Sequence, residues 1–175
     1  MAARPQGTLA SVELYRALVS QELGDRDAQA GNLAEAKRSY EESALLAETR
    51  LRAGDNAFLS IYIGSSRKLG LNAIARGQRD EALRFGSDAV RASARAPGGP
   101  ASNVASARSA SAMALIHAEL FRSPLRQPDD REQAIAWFHK SSEAWRQAVA
   151  KTALHPFEQQ EMQETEQALK FLESR

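Results

Sequence analysis

An all-α fold is the prediction, and three observations make it. Alanine is frequent, while valine, isoleucine and threonine are scarce outside a few spots, a bias that favours helix over strand at almost every position. One helix-like stretch, "GNLAEAKRSYEESA", returns twice further along in altered form. The breaks between these stretches read as helix ends. At 175 residues the chain fits one domain with a real core, here placed at 9–175 behind a disordered start at 1–8. With 43 % hydrophobic and 26 % charged residues it has the composition of a soluble globular protein.

The elements follow in order. A first helix is expected over 9–30, carrying Gly24 in its interior. The second, 33–53, starts after Gly31 and puts Ala36, Tyr40 and Ser43 on one face, where leucines would bury more area. That choice leaves room for a close neighbour. "AGDN" at 53–56 supplies a terminating glycine and then a capping Asp or Asn for a third helix over 57–76. A fourth runs 79–95 from "GQRDEALRFGSDAV". "APGGP" at 96–100 breaks the chain before a fifth at 101–121. "RSPLRQPD", with two prolines, is a loop leading to a sixth at 130–151, "DREQAIAWFHKSS". His155-Pro156 stops that helix and opens a seventh at 157–173, with Pro156 suited to a first turn. On the seventh, Met162, Thr165, Leu169 and Leu172 share a face, while Glu158, Glu161, Glu164 and Glu166 mostly point away.

The three copies align. Gly31, Gly77 and Asp129 are turn-formers, followed five places on by Ala36, Ala82 and Ala134 and then by Tyr40, Phe85 and Phe138. Leu23-Gly24 and Leu69-Gly70 precede the two glycines by the same offset, and Met113-Ala114 takes that place in the third copy. Each copy is therefore a helical hairpin, with Gly or Ala where the two helices touch. A glycine inside a helix costs about 1 kcal/mol against alanine, so Gly24 and Gly70 need a packing reason.

This pattern of Leu-Gly, Gly at the turn, Ala, an aromatic and a small residue resembles the tetratricopeptide repeat (TPR). The period of 46 and then 52 residues exceeds the ~34 of the standard repeat and suits longer helices, as in kinesin light chains. Gly86 stands where the second copy should carry an aromatic, with Phe85 as substitute. The resemblance covers about residues 10–153. It implies a right-handed solenoid of about three repeats plus a C-terminal capping helix, with Gly24, Gly31, Ala36, Tyr40, Gly70, Gly77, Ala82, Ala114 and Ala134 as repeat-packing residues. The C-terminal stretch from Arg131 resembles the end of TPR tails on bacterial Ser/Thr protein kinases of the eukaryotic-like type, although the chain carries no kinase signatures.

No catalytic set of residues stands out in the sequence. There is no cysteine, which excludes disulfides and thiolate zinc sites. His117, His139 and His155 sit on different elements without ligand-spaced partners; His117 reads as a core or groove residue. Glu41-Glu42 and Asp129-Asp130 read as solvated surface or first-turn charges. No nucleophile elbow or phosphate loop occurs. No catalytic residue, metal or cofactor is expected. Trp137 and Trp145 are eight residues apart and Phe138 and Trp145 seven, so at least one pair shares a face, expected to pack against the seventh helix; an exposed tryptophan would instead suggest a partner contact.

Residues 60–110 carry 8 basic and 3 acidic groups between two weakly acidic ends, too small an excess to argue for nucleic acid. No apolar run is long enough for a membrane span and no signal peptide is evident, so membrane insertion is not expected and a cytoplasmic location is. The TPR resemblance implies a concave groove on the first helices of each hairpin. Carried over, its positions are Leu18, Gln21, Glu22, Asp25 and Gln29, then Arg67, Lys68, Leu71 and Ile74, then Arg108, Ser111, Leu115 and Glu119. Arg67, Lys68 and Arg108 would suit an acidic protein or peptide segment. The Lys and Asn set of chaperone-binding TPRs is not reproduced. The expected function is a non-catalytic protein-interaction module in a bacterial signalling assembly. The alternative is a sensor whose groove closes on a small ligand or signalling peptide. Self-association through the end helices or the tryptophans stays open.

Overall fold

The computed structural model describes residues 6–174. Among them are seven α-helices and no strand: α1 (Gln6–Gln29), α2 (Leu33–Arg52), α3 (Leu59–Ala75), α4 (Arg79–Ala94), α5 (Pro100–Arg122), α6 (Asp130–Val149) and α7 (Pro156–Glu173). A single 3-10 turn, Asn56–Phe58, leads into α3. The expected disordered start lies outside the described residues at 1–5, and α1 begins at Gln6 rather than at residue 9. The other helix ends fall within about two residues of those expected.

Three helix pairs form from neighbours in sequence, α1 with α2, α3 with α4 and α5 with α6. The pairs are joined by contacts of α2 with α3 and of α4 with α5, while α1 also touches α3 and α3 touches α5. The first two pairs turn on Gly31 and Gly77, whose φ angles of 81° and 77° favour glycine. At each turn two amides return to the end of the preceding helix: Gly31 to Ala28 O (3.1 Å) and Asn32 to Asp27 O (2.8 Å), then Gly77 to Ile74 O (2.9 Å) and Gln78 to Ala73 O (2.8 Å).

The small residues sit where helices approach most closely. A Cβ on Gly24 would lie 2.4 Å from the Tyr40 ring, and one on Gly70 would lie 2.5 Å from Ile116 Cδ1 and 3.3 Å from the Ala82 carbonyl oxygen. Ala36, Ala82, Ala114 and Ala134 are fully buried. Phe85 does not stand in for an aromatic at Gly86. It packs with Ala36, Tyr40 and Leu69, and the space at Gly86 is filled from α5 by Met113 and Ile116. Buried hydroxyls satisfy each other across the contacts: Ser65 donates to Ser43 (3.0 Å), and Ser141 donates to the Ala107 carbonyl (2.8 Å).

Two ionic clips bridge the even-numbered helices. Glu81 on α4 accepts from Lys37 on α2 (2.9 Å) and from Arg76 at the end of α3 (2.6 Å). Burial alone would raise its carboxyl pKa, but these two cations outweigh it and hold the pKa below the usual value. Asp130 stands in the first turn of α6, one of the two placements expected, and the second clip corrects the other, a solvated charge. Asp130 is fully buried. Arg79 on α4 grips it with both terminal nitrogens (2.7 and 2.8 Å), the Gln127 amide donates to it (2.6 Å), and His117 Nδ1 lies 3.1 Å away. Arg79 also donates to the Leu125 carbonyl (3.1 Å), so the proline-bearing loop is fastened to α4. Burial pushes the Asp130 carboxyl up, yet the bonds from Arg79, Gln127 and His117 prevail and bring it down to about 2.

Helix α7 packs on α6, burying Thr165, Leu169 and Leu172, with the leucines against Ala114, Ala118, Ala134 and Phe138. Arg131 of α6 donates to the Leu172 carbonyl at its far end (2.8 Å). At its start Glu158 accepts the His155 amide (2.9 Å).

Candidate binding groove

Helices α1, α3, α5 and α7 surround a pocket of about 340 Å³. Its deepest-set walls are apolar: Phe138 and Trp145 from α6, each 1 % exposed, with Ile61 and Ile63 from α3 and Leu115 from α5. Leu18 and Gln21 of α1 stand on one side, and Phe157, Glu161, Glu164 and Thr165 of α7 stand on the other. Gln21 is held in place by donating to the Ile61 carbonyl (3.1 Å) and to Ser65 (2.8 Å).

Of the groove positions expected from sequence, Leu18, Gln21, Arg67, Lys68, Arg108, Ser111 and Leu115 all line this pocket. Others do not. Ile74 is buried in a core cluster with Ala73, Ala82, Ile116 and Leu120, and Leu71 packs against that cluster. Glu22 and Gln29 are exposed on α1 away from the pocket, as is Glu119 on α5. Asp25 serves the packing of the first hairpin: it accepts the Tyr40 hydroxyl (2.8 Å) and pairs with Lys68. Burial first, then the bond and charge of Asp25, raise the Tyr40 hydroxyl pKa well above its ordinary value.

The three cations differ in what they have left to offer. Lys68 is bound to Asp25 and lies 5.7 Å from the Tyr40 ring centre. Arg108 donates through Nε to Glu161 (2.7 Å) and through Nη1 to Ser60 (3.0 Å), and its guanidinium sits 4.8 Å from the Phe157 ring centre. Glu161 and Glu158 therefore turn toward α5 instead of pointing away from the protein, with Glu158 3.8 Å from Arg108. Arg67 is half-buried and, among the described residues, has no carboxylate or hydrogen-bond partner.

Two further donors on the pocket lining are unmatched. The indole Nε1 of Trp145 and the Nη2 of Arg108 are buried without a hydrogen-bond acceptor. Gly64, which the sequence reading passed over, also lines the pocket. It lies inside α3, and a Cβ there would find only the Gln21 amide, at an ordinary 3.5 Å. Packing explains Gly24 and Gly70; it does not explain Gly64. A mid-helix glycine without a close neighbour was the available signal.

The remaining aromatic and histidine residues are structural or peripheral. Trp137 is partly buried beneath Lys140, 4.0 Å from its ring centre. His139 is exposed beside Glu173 (3.0 Å), and His155 stacks near Phe157 with ring centres 6.3 Å apart. No cluster among the described residues could hold a metal ion, and no helix is long and apolar enough to cross a membrane. What the groove offers chemically is apolar burial beside hydrogen-bond donors. Comparison with protein families, curated proteins and solved structures finds no match to this chain.

Proposed function

We propose that this chain is a TPR-like right-handed solenoid of three hairpins closed by α7, and that it acts as a non-catalytic module binding a segment of another protein in the groove. The carrying observation is Arg67, a half-buried cation without a partner among the described residues, beside an apolar pocket. Desolvating a charge is costly unless something compensates, so an unpaired, half-buried guanidinium suits an incoming anion. Gly64 supports the same reading, because it keeps the α3 surface low one turn from Arg67 at a cost in helix stability. The resemblance of the C-terminal sequence to kinase TPR tails is what supports a setting in a bacterial signalling assembly.

The test is direct binding with single substitutions. Fluorescence anisotropy with labelled segments from a peptide display selection should give saturable binding by the wild-type chain. Arg67→Glu, with unchanged helicity, should abolish it. Binding that survives this reversal would place the partner surface elsewhere.

The ligand-sensor reading is supported by the pocket's size, since about 340 Å³ falls at the small end of pockets for organic ligands. A small-molecule screen that raised the melting temperature of wild type but not of Arg67→Gln would support it.

A further inference from the structure

Among the described residues on the pocket lining, Arg67 offers a whole guanidinium without a partner. Arg108 Nη2, 3.8 Å from Glu158, and the Trp145 indole N–H also lack acceptors, but both atoms are buried. Acceptors line the pocket too: Glu161 is taken by Arg108 and Glu164 by Gln160, while Gln21 donates to Ser65. A partnerless guanidinium beside apolar walls suits a ligand carrying both an acceptor and apolar bulk.

The charge count narrows this further. Of the three cations lining the pocket, Lys68 is neutralised by Asp25 and Arg108 by Glu161 and Glu158. Among the described lining residues, Arg67 is then the one cation without a carboxylate partner, and Glu164 a carboxylate without a cation. A stretch of several acidic residues would meet no second free cation there and would face Glu164. A single carboxylate matches the site.

Geometry places the two requirements side by side. Gly64 and Arg67 lie three residues apart on α3 and so share a face. Gly64, covered in part by the Gln21 amide, therefore adjoins the guanidinium, and both line the pocket walled by Phe138 and Trp145. A volume of about 340 Å³ has ample room for one large apolar side chain, since a cavity of about 150 Å³ already holds a benzene ring.

From these observations we infer that the groove recognises a protein segment bearing one large apolar or aromatic residue within one helical turn of a single Asp or Glu. The apolar side chain enters the pocket beside Gly64, and its neighbouring carboxylate pairs with Arg67. This assignment rests on the groove-binding function proposed above and specifies the partner that function takes.

The experiment is selection of a random 12-residue peptide library displayed on phage against the full chain, in parallel with Arg67→Gln and Gly64→Leu. Expected from wild type is enrichment of sequences with Phe, Trp, Leu or Met within four positions of one acidic residue. For a synthesised winner, replacing its acidic residue by Gln should weaken binding about tenfold or more, as should Arg67→Gln, with little further loss when the two are combined. Gly64→Leu, whose helix fold is checked by circular dichroism, should fail to bind the winner. Enriched peptides without the acidic residue, or equal losses that multiply, overturn the carboxylate assignment while leaving groove binding intact. Failure of any peptide to enrich removes groove binding itself and this proposal with it. If 3-phenylpropionate alone stabilises wild type but not Arg67→Gln and no peptide enriches, the carboxylate comes from a small acid, which also overturns the protein-segment assignment.

Discussion

Replacing Asp130 with Asn tests whether the second ionic clip stabilises the fold or is only tolerated by it. The carboxylate is fully buried, is gripped by Arg79 at 2.7 and 2.8 Å and accepts the Gln127 amide at 2.6 Å. Its pKa falls from 3.8 to about 2 on folding. At 1.36 kcal/mol per unit, that difference makes the ionised form worth about 2 kcal/mol more than the protonated one in the folded protein. Asn removes the charge and strands Arg79, so a loss of about 2–4 kcal/mol is expected at pH 7. The sign with pH follows from the lowered value. The clip contributes fully above pH 4, and its contribution is lost as pH falls through 3.8 toward 2. Urea unfolding of wild type and Asp130→Asn from pH 7 to pH 2.5, followed by circular dichroism, should show the gap between them narrowing below pH 4. A gap under about 0.5 kcal/mol at pH 7, or one that stays constant down to pH 2.5, would refute the reasoning.

Two alanine substitutions at glycines should move stability in opposite directions. Gly24→Ala forces a Cβ to within 2.4 Å of a Tyr40 ring that Asp25 holds in place, and should cost about 1–3 kcal/mol by urea unfolding despite the better helix propensity. Gly64→Ala meets only ordinary contacts and should stabilise by up to about 1 kcal/mol while weakening any peptide found to bind the groove. Arg108→Ala removes the ties from α5 to Glu161 and Phe157, and amide exchange in α7 should accelerate roughly 30-fold, equivalent to about 2 kcal/mol, while α1 and α2 stay protected.

Most of the helical architecture could be read from sequence because its signals are local. Gly31 and Gly77 end helices through backbone conformation, and Pro124, Pro128 and Pro156 cannot continue one. Ala36, Ala82 and Ala134 at a shared offset mark where helices meet. The groove was harder. Helical periodicity gives direction around an axis but not height along it, and Arg67 and Ile74 are seven residues apart on nearly the same side of α3. Arg67 opens onto the pocket, whereas Ile74 lies two turns nearer the Gly77 turn, where Ile116 and Leu120 cover it. Asp130 looked like a surface charge because its partner, Arg79, lies 51 residues earlier and nothing local announces the pairing. Glu161 was misplaced for the same reason, since its orientation depends on Arg108 of a helix 53 residues away.

The position of Arg108 ties two ends of the molecule's behaviour together. The same guanidinium forms a wall of the pocket and fastens the last helix, so occupancy of the first and retention of the second share one equilibrium. An occupant that holds Arg108 in its present orientation tightens the seat of α7, and by reciprocity anything that secures α7 raises affinity in the pocket by the same factor. If the pocket takes an occupant as proposed, fraying of the C-terminal helix, read by amide exchange or by limited proteolysis, should fall as the pocket fills.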